Sequence, residues 1–150
     1  EGKENVDMNE VISEFKLLRR KLISEKSASL QTDNLPTLHT YKASVTQVIH
    51  CLLDNALKYS EEDVPPKIEI SARANKDEWV FSVKDNGIGI DPQFFEKIFI
   101  IFQRLHNNDR YEGTGIGLSI AKRHIEFLGG QITVNSKVGK GSTFYFSIPK

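Results

Sequence analysis

Two stretches of the chain alternate apolar and polar residues with a period of two, which commits it to a sheet with one covered face. Ile68, Ile70 and Ala72 alternate with polar neighbours, a turn falls near Asn75–Asp77, and Trp79, Phe81 and Val83 alternate in return. Successive strand side chains point to opposite faces, so the pattern predicts an antiparallel hairpin with one apolar side. "GGQITVNSKVGKGSTFYFSIP" (Gly129–Pro149) predicts a second hairpin, with Ile132 and Val134 facing Phe144, Phe146 and Ile148.

The cover must come from helices. Met8, Val11, Ile12, Phe15, Leu18 and Leu22 recur at helical spacing, with Asp7 as N-cap and Glu10 three residues on. Val45, Val48, Ile49, Leu52, Leu53 and Ala56 form the clearest apolar stripe and predict a helix over 42–59. A third helix runs from Gly115 to about Leu128, with apolar residues on more than one side. A short strand is expected over 28–32, Pro36 breaks anything regular after it, and "SEEDVPP" (Ser60–Pro66) is a loop. Residues 91–112 hold one short helix, starting at Asp91-Pro92, and a polar run. The sum is an α+β fold: a two-layer α/β sandwich whose mixed, mostly antiparallel sheet of about five strands lies under three helices.

At 150 residues, 39% of them hydrophobic, the chain suits a single domain spanning 1–150. Lys plus Arg number 20 and Asp plus Glu number 20, so there is no basic footprint for nucleic acid and no polybasic patch for a membrane surface. No apolar run approaches membrane-spanning length and no signal peptide opens the chain. The single cysteine, Cys51, rules out an internal disulfide and suits a reducing, cytoplasmic setting. The start at Glu1-Gly2 within a charged run reads as a piece of something longer.

Several polar groups do not belong to a core. Asp85 lies one step beyond an alternating strand and is followed by Asn86, Gly87 and Gly89. Asp-Asn-Gly is good hairpin chemistry, yet no paired strand follows it; a carboxylate beside glycines also suits recognition of an exocyclic amine. Cys51, Asn55, Lys58 and Tyr59 share one helical face, either as a solvated flank or as an amide and an ammonium serving a hydrated cation and a phosphate. "GTGIGL" (Gly113–Leu118) precedes a helix whose N-terminal amides can hold phosphate. Neither it nor "GKGST" (Gly139–Thr143) has the Rossmann or Walker A spacing. His39, His50, His106 and His124 lack metal-ligand spacing and read as surface or core histidines, and no serine sits in a G-x-S-x-G elbow.

Taken in order, the motifs resemble the catalytic, ATP-binding domain of sensor histidine kinases, within the superfamily that includes gyrase, chaperone and mismatch-repair ATPases. "QVIHCLLDNALKYS" (Gln47–Ser60) is similar to its N box, "DNGIGI" (Asp85–Ile90) to its first glycine box and "FFEKIFIIFQRL" (Phe94–Leu105) to its F box. "GTGIGLSIAKRHIEFLGG" (Gly113–Gly130) resembles the second glycine box and "GKGSTFYFSIP" (Gly139–Pro149) the terminal one. The segment "IFQRLHNNDRYEGTGIGL" is most similar to the lid of phytochrome-like kinases.

The resemblance implies the Bergerat-type ATP-binding fold, ATP and Mg²⁺ as ligands, and a protein histidine kinase whose acceptor histidine lies outside this chain. It implies that Asp85 accepts from the adenine amino group, that Gly87 and Gly89 admit the ring and hinge a lid over 91–112, and that Ile90 joins the nucleotide site. Asn55 would coordinate Mg²⁺, Lys58 would meet a phosphate and Tyr59 would lie against adenine. Phe99 and Phe102 would anchor the lid, Arg104 would reach a phosphate, and Gly113, Thr114, Gly115, Gly117 and Leu118 would lend backbone amides. Thr143 would back the adenine site. The implied partners are the kinase's dimerisation and phosphoacceptor domain and a response regulator, with the isolated domain a monomer that does not itself touch a membrane.

One position departs from the pattern. Cys51 stands where the superfamily carries asparagine or, in its hydrolysing members, glutamate. A thiol neither activates water as a carboxylate does nor binds hard Mg²⁺ well. The alternatives are a nucleotide-sensing module that transfers nothing and, disfavoured by Cys51, a gyrase-like ATPase.

Overall fold

A computed structural model describes residues 2–100 and 117–150. Within them the order is β1 (Glu4–Asp7), α1 (Met8–Leu18), α2 (Arg20–Lys26), β2 (Ser29–Thr32), β3 (Thr37–Thr40), α3 (Lys42–Lys58), β4 (Lys67–Ala74) and β5 (Glu78–Asp85). Two 3₁₀ turns follow at Pro92–Phe94 and Lys97–Phe99, then α4 (Gly117–Phe127), β6 (Ile132–Lys137) and β7 (Gly141–Pro149). The main sheet has five strands in the order β2-β4-β5-β7-β6. Every pairing is antiparallel except β2 with β4, so the mixed sheet expected from the alternation is observed.

The alternation fixes which face is covered. Ile68 and Ile70 of β4, Phe81 and Val83 of β5, and Phe144, Phe146 and Ile148 of β7 are all buried. Phe81 and Phe146 are register partners whose rings stack at 4.9 Å, the kind of cross-strand pair that stabilises a sheet by about 0.2–1 kcal/mol beyond alanine. Over them lies α3, with Val45, Val48, Ile49, Leu52, Leu53, Ala56 and Leu57 buried. At about 1.5–3 kcal/mol for each fully buried large aliphatic side chain, this helix is the main apolar investment of the fold.

Two expectations change. The first helix breaks at Arg19, whose φ of −108° and ψ of 15° end α1 before α2 begins. Leu18 therefore leaves the apolar stripe and is 64% exposed, while Leu22 packs on the core from α2. The Arg19 guanidinium reaches both carboxylate oxygens of Asp54 on α3, at 2.8 and 2.9 Å, and pins the break. Pro36 does not end regular structure. Residues 37–40 form β3, which pairs antiparallel with β1 in a separate ribbon and buries Leu38 against the same core as Val6. Pro36 precedes the ladder and only accepts, from the Met8 N–H at 3.1 Å, so its missing donor costs nothing.

Candidate nucleotide site at the end of β5

Strand β5 delivers Asp85 to the covered face, because Phe81, Val83 and Asp85 are all inward steps of one period-two series. Asp85 is only 8% exposed. Oδ1 accepts the Gly87 N–H at 2.8 Å and the Ser142 N–H at 3.3 Å. Both donors fall on the same oxygen, and among the described residues Oδ2 receives none. Burial pushes the Asp85 carboxyl above its ordinary value, and the two backbone donors only partly offset it. A buried carboxylate with one oxygen fixed and the other open is suited to a ligand that brings a hydrogen-bond donor.

The glycines hold this arrangement by proximity. A Cβ on Gly87 would stand 2.4 Å from the Tyr59 carbonyl oxygen, so the chain after Asp85 can lie on the end of α3 only without a side chain there. The next residue, Ile88, donates its N–H to that same Tyr59 carbonyl at 3.0 Å and accepts from the Gly139 N–H at 2.8 Å. Gly89 adopts φ +78°, and a Cβ on it would meet the Lys137 carbonyl oxygen at 2.1 Å. The segment 85–90 is thus clamped between the α3 terminus and the β6–β7 turn.

That clamp brings two predicted groups together: the Asp85 loop sits on Tyr59, the C-cap of the helix that carries Asn55 and Lys58. Lys58 lies over the Tyr59 ring, 5.5 Å from its centroid. Asn55 is half-buried one turn back, and its carbonyl accepts the Tyr59 N–H at 3.1 Å. Cys51 is half-buried near Gln47 Nε2, at 3.5 Å, and burial pushes its thiol up, which keeps it protonated at neutral pH. The side chain of Asn86 points elsewhere: it accepts the Lys67 N–H at 2.8 Å and ties the loop to the start of β4.

Ile90 packs on the core, and Phe99 meets Phe144 edge-on at 6.3 Å. Gly117 opens α4, and Leu118 packs inward from it. Phe102, Arg104, Gly113, Thr114 and Gly115 lie outside the described residues, as does His106. His39 and His124 each lie beside a polar partner, whereas the Nε2 of His50 is buried with no hydrogen-bond partner among the described residues. His39 lies 3.1 Å from Asn5 Oδ1, His124 lies 3.3 Å from Ser44 Oγ, and His50 packs edge-on to Phe15. Among the described residues no group of three or more His, Cys, Asp and Glu is placed to hold a metal.

Thr143 does not reach this site. It pairs with Lys84, one register step from Asp85, and so faces the uncovered side of the sheet. The residue opposite Asp85 is Ser142, which is buried. Its hydroxyl lies 2.6 Å from that of Ser136, and Ser136 in turn accepts the Ile90 N–H at 2.8 Å. Both serines were recoverable from the sequence by extending the inward series Ile132, Val134 and Phe144, Phe146 toward the turn.

The fold and the site converge on one class of protein. The profile described as histidine kinase-, DNA gyrase B-, and HSP90-like ATPase matches residues 40–150, and the chain belongs to that family. Cyanobacterial phytochrome A of Nostoc sp. is 50% identical over 130 residues, which cover 87% of this chain and 17% of that protein. Phytochrome-like protein Cph1 of Synechocystis sp. is 47% identical over 143 residues, covering 95% of this chain and 19% of Cph1. The chain therefore spans less than a fifth of the length of these two relatives. Among solved structures, the nucleotide-free catalytic domain of histidine kinase ThkA superposes with a TM-score of 0.83 at 27% identity, covering 100% of this chain and 99% of ThkA's. Full-length ShkA in complex with AMPPNP gives a TM-score of 0.83 at 26% identity, over 98% of this chain and 31% of ShkA's. No helix among the described residues is long and apolar enough to cross a membrane.

Proposed function

We propose that this chain is the ATP-binding catalytic domain of a two-component sensor histidine kinase, which binds Mg-ATP and passes the γ-phosphoryl group to a histidine on a separate dimerisation domain. The observation that carries the reading is Asp85: a buried carboxylate whose Oδ1 is held by two backbone donors while Oδ2 stays open for an adenine amino group. Asn55 meets the Mg²⁺ that the phosphates carry, Lys58 meets a phosphate, and the Tyr59 ring lies against the base. Gly117 and Leu118 supply amides at the start of α4, where the helix dipole favours anions. Arg104, Phe102, Gly113, Thr114 and Gly115 complete the set, with residues 91–112 as the lid. Ser142 replaces Thr143 beside Asp85.

Transfer in such a site is positioning plus charge neutralisation. The bond from the bridging oxygen to the γ-phosphorus breaks, an imidazole nitrogen forms the new bond to phosphorus, and ADP leaves. Water must remain a poor nucleophile meanwhile. A neutral, half-buried Cys51 takes no proton from water, which separates this chain from a hydrolysing relative. The partners are then the dimerisation and phosphoacceptor domain and, after it, a cytoplasmic response regulator; the domain alone is a monomer.

Cys51 also favours a second reading, a nucleotide-sensing module that transfers nothing. Labelled Mg-ATP, given to this chain alone and to the chain joined to its native upstream segment, separates the possibilities. The expected result is nucleotide binding by both, label on a histidine of the longer protein only, and loss of Mg²⁺-dependent binding in Asn55→Ala. Binding without label points to the sensing module. Steady release of phosphate by the isolated chain, abolished by Asn55→Ala, points to an ATPase.

A further inference from the structure

Ser136 Oγ is a node between the adenine-facing carboxylate and the segment that leads away from it. It accepts the Ile90 N–H at 2.8 Å, donates to the Gly141 carbonyl at 2.8 Å and lies 2.6 Å from Ser142 Oγ. A hydroxyl has one proton and two lone pairs. With its proton on Gly141, the Ile90 N–H and the Ser142 O–H fill both lone pairs. That leaves Ser136 no capacity to contact a ligand.

The Gly141 carbonyl and the Ser142 N–H belong to one peptide unit. Because that unit is planar, fixing its oxygen fixes the direction of its N–H, and that N–H is one of the two that hold Asp85 Oδ1. Gly141 at φ +100° leaves the plane without the usual steric restraint, since a Cβ there would meet the Asp85 carbonyl oxygen at 2.1 Å. The peptide lies at the end of two ladders, with Gly141 opposite Lys137 and Ser142 opposite Asp85, and the Ser136 hydroxyl adds a side-chain bond to its oxygen at that end.

We propose that Ser136 is a positioning residue for nucleobase recognition: its hydroxyl aims the Gly141–Ser142 peptide at Asp85 and, through Ile90, holds the glycine segment in register with it. The inference rests on the nucleotide reading above. Wild type and Asp85→Asn are therefore titrated with Mg-ADP first; no binding by wild type, or equal binding by both, refutes that reading and not this one specifically.

Given wild-type binding, Ser136→Ala should weaken Mg-ADP about tenfold, the loss expected when one hydrogen bond supporting a charged group is removed. It should also reduce the preference for ADP over purine riboside diphosphate, which lacks the exocyclic amine. Ser136→Thr, which keeps the hydroxyl and suits a strand, should restore both. A merely structural serine would lower the melting temperature of Ser136→Ala and leave the base preference at its wild-type ratio, and that outcome overturns the proposal. If Ser136→Ala does not fold, hydrogen exchange on wild type decides. Mg-ADP should slow the Ser142 and Ile90 amides together, and protection of one without the other overturns the proposal.

Discussion

At the start of β5, the side-chain oxygen of Asn75 accepts the N–H of Asp77 at 3.0 Å and of Glu78 at 2.9 Å. At its finish, the side-chain oxygen of Asp85 accepts the N–H of Gly87 at 2.8 Å and of Ser142 at 3.3 Å. The local chemistry is the same: a short polar side chain bonds the backbone two residues on, as Asx turns do. The surroundings differ. Asn75, Lys76 and Asp77 are exposed, and their turn satisfies itself while water handles the rest. Asp85 is buried, its second oxygen is open, and the chain beside it is fixed by glycines that reject a side chain. A turn made only to reverse the chain has no need of a buried charge, which costs stability unless something fills the open acceptor.

The largest effect that would sharpen this contrast lies in the glycines. Gly139 at φ +80° and Gly141 at φ +100° are two residues apart in one turn, but a Cβ on Gly139 meets nothing within 4 Å. Gly139→Ala should cost only the left-handed backbone penalty, about 1–2 kcal/mol. Gly141→Ala adds a collision with the Asp85 backbone and should cost about 3 kcal/mol or more. Urea midpoints of the two variants check this; equal losses would mean that the close approach to Asp85 is not a constraint.

A smaller pair of effects separates the two side chains. Asp85→Asn keeps an acceptor for both backbone donors and removes the buried charge, so without nucleotide it should match or exceed wild-type stability at neutral pH, by on the order of 1 kcal/mol. The sign follows from linkage. The folded-state pKa of Asp85 lies above its ordinary 3.8, so this group's favourable contribution is complete below that value. It is lost as pH climbs through the raised pKa. Wild type should therefore fall behind Asp85→Asn as pH rises above about 4 in thermal melts. Asn75→Ala should lose about 0.5–1 kcal/mol and leave nucleotide affinity unchanged. A marked fall in the stability of Asp85→Asn, with no pH dependence, would place Asp85 among ordinary turn residues.

The fold was legible wherever a period was long enough to read. Eight-residue strands such as β4 and β5 and the 17-residue α3 show their buried faces plainly in the sequence. The β1–β3 ribbon was not legible, because strands of four residues with one buried apolar residue in each carry no period. The break at Arg19 was hidden because Leu18 continued the stripe numerically, while the bond from Arg19 to Asp54 spans 35 residues and no local pattern reports it. At the site, Asp85 and the glycines were conspicuous as residues that suit neither core nor simple turn. Motif resemblance favours Thr143 over Ser142, although strand alternation separates the two by face. The Tyr59 carbonyl could not be seen at all, since every residue has one and only the fold says which is approached.

We propose that Asp85 Oδ2 is open in order to accept from the amino group of adenine. Equilibrium titration of wild type with Mg-ATP and with the Mg complex of purine riboside triphosphate, which lacks only that amine, tests it most directly. The expected result is a wild-type preference for ATP of about 100-fold or more, because a site built to bond an amine is left with an unpaired buried acceptor by the analogue, and a collapse of that preference in Asp85→Asn. Equal affinity of wild type for the two triphosphates would contradict it.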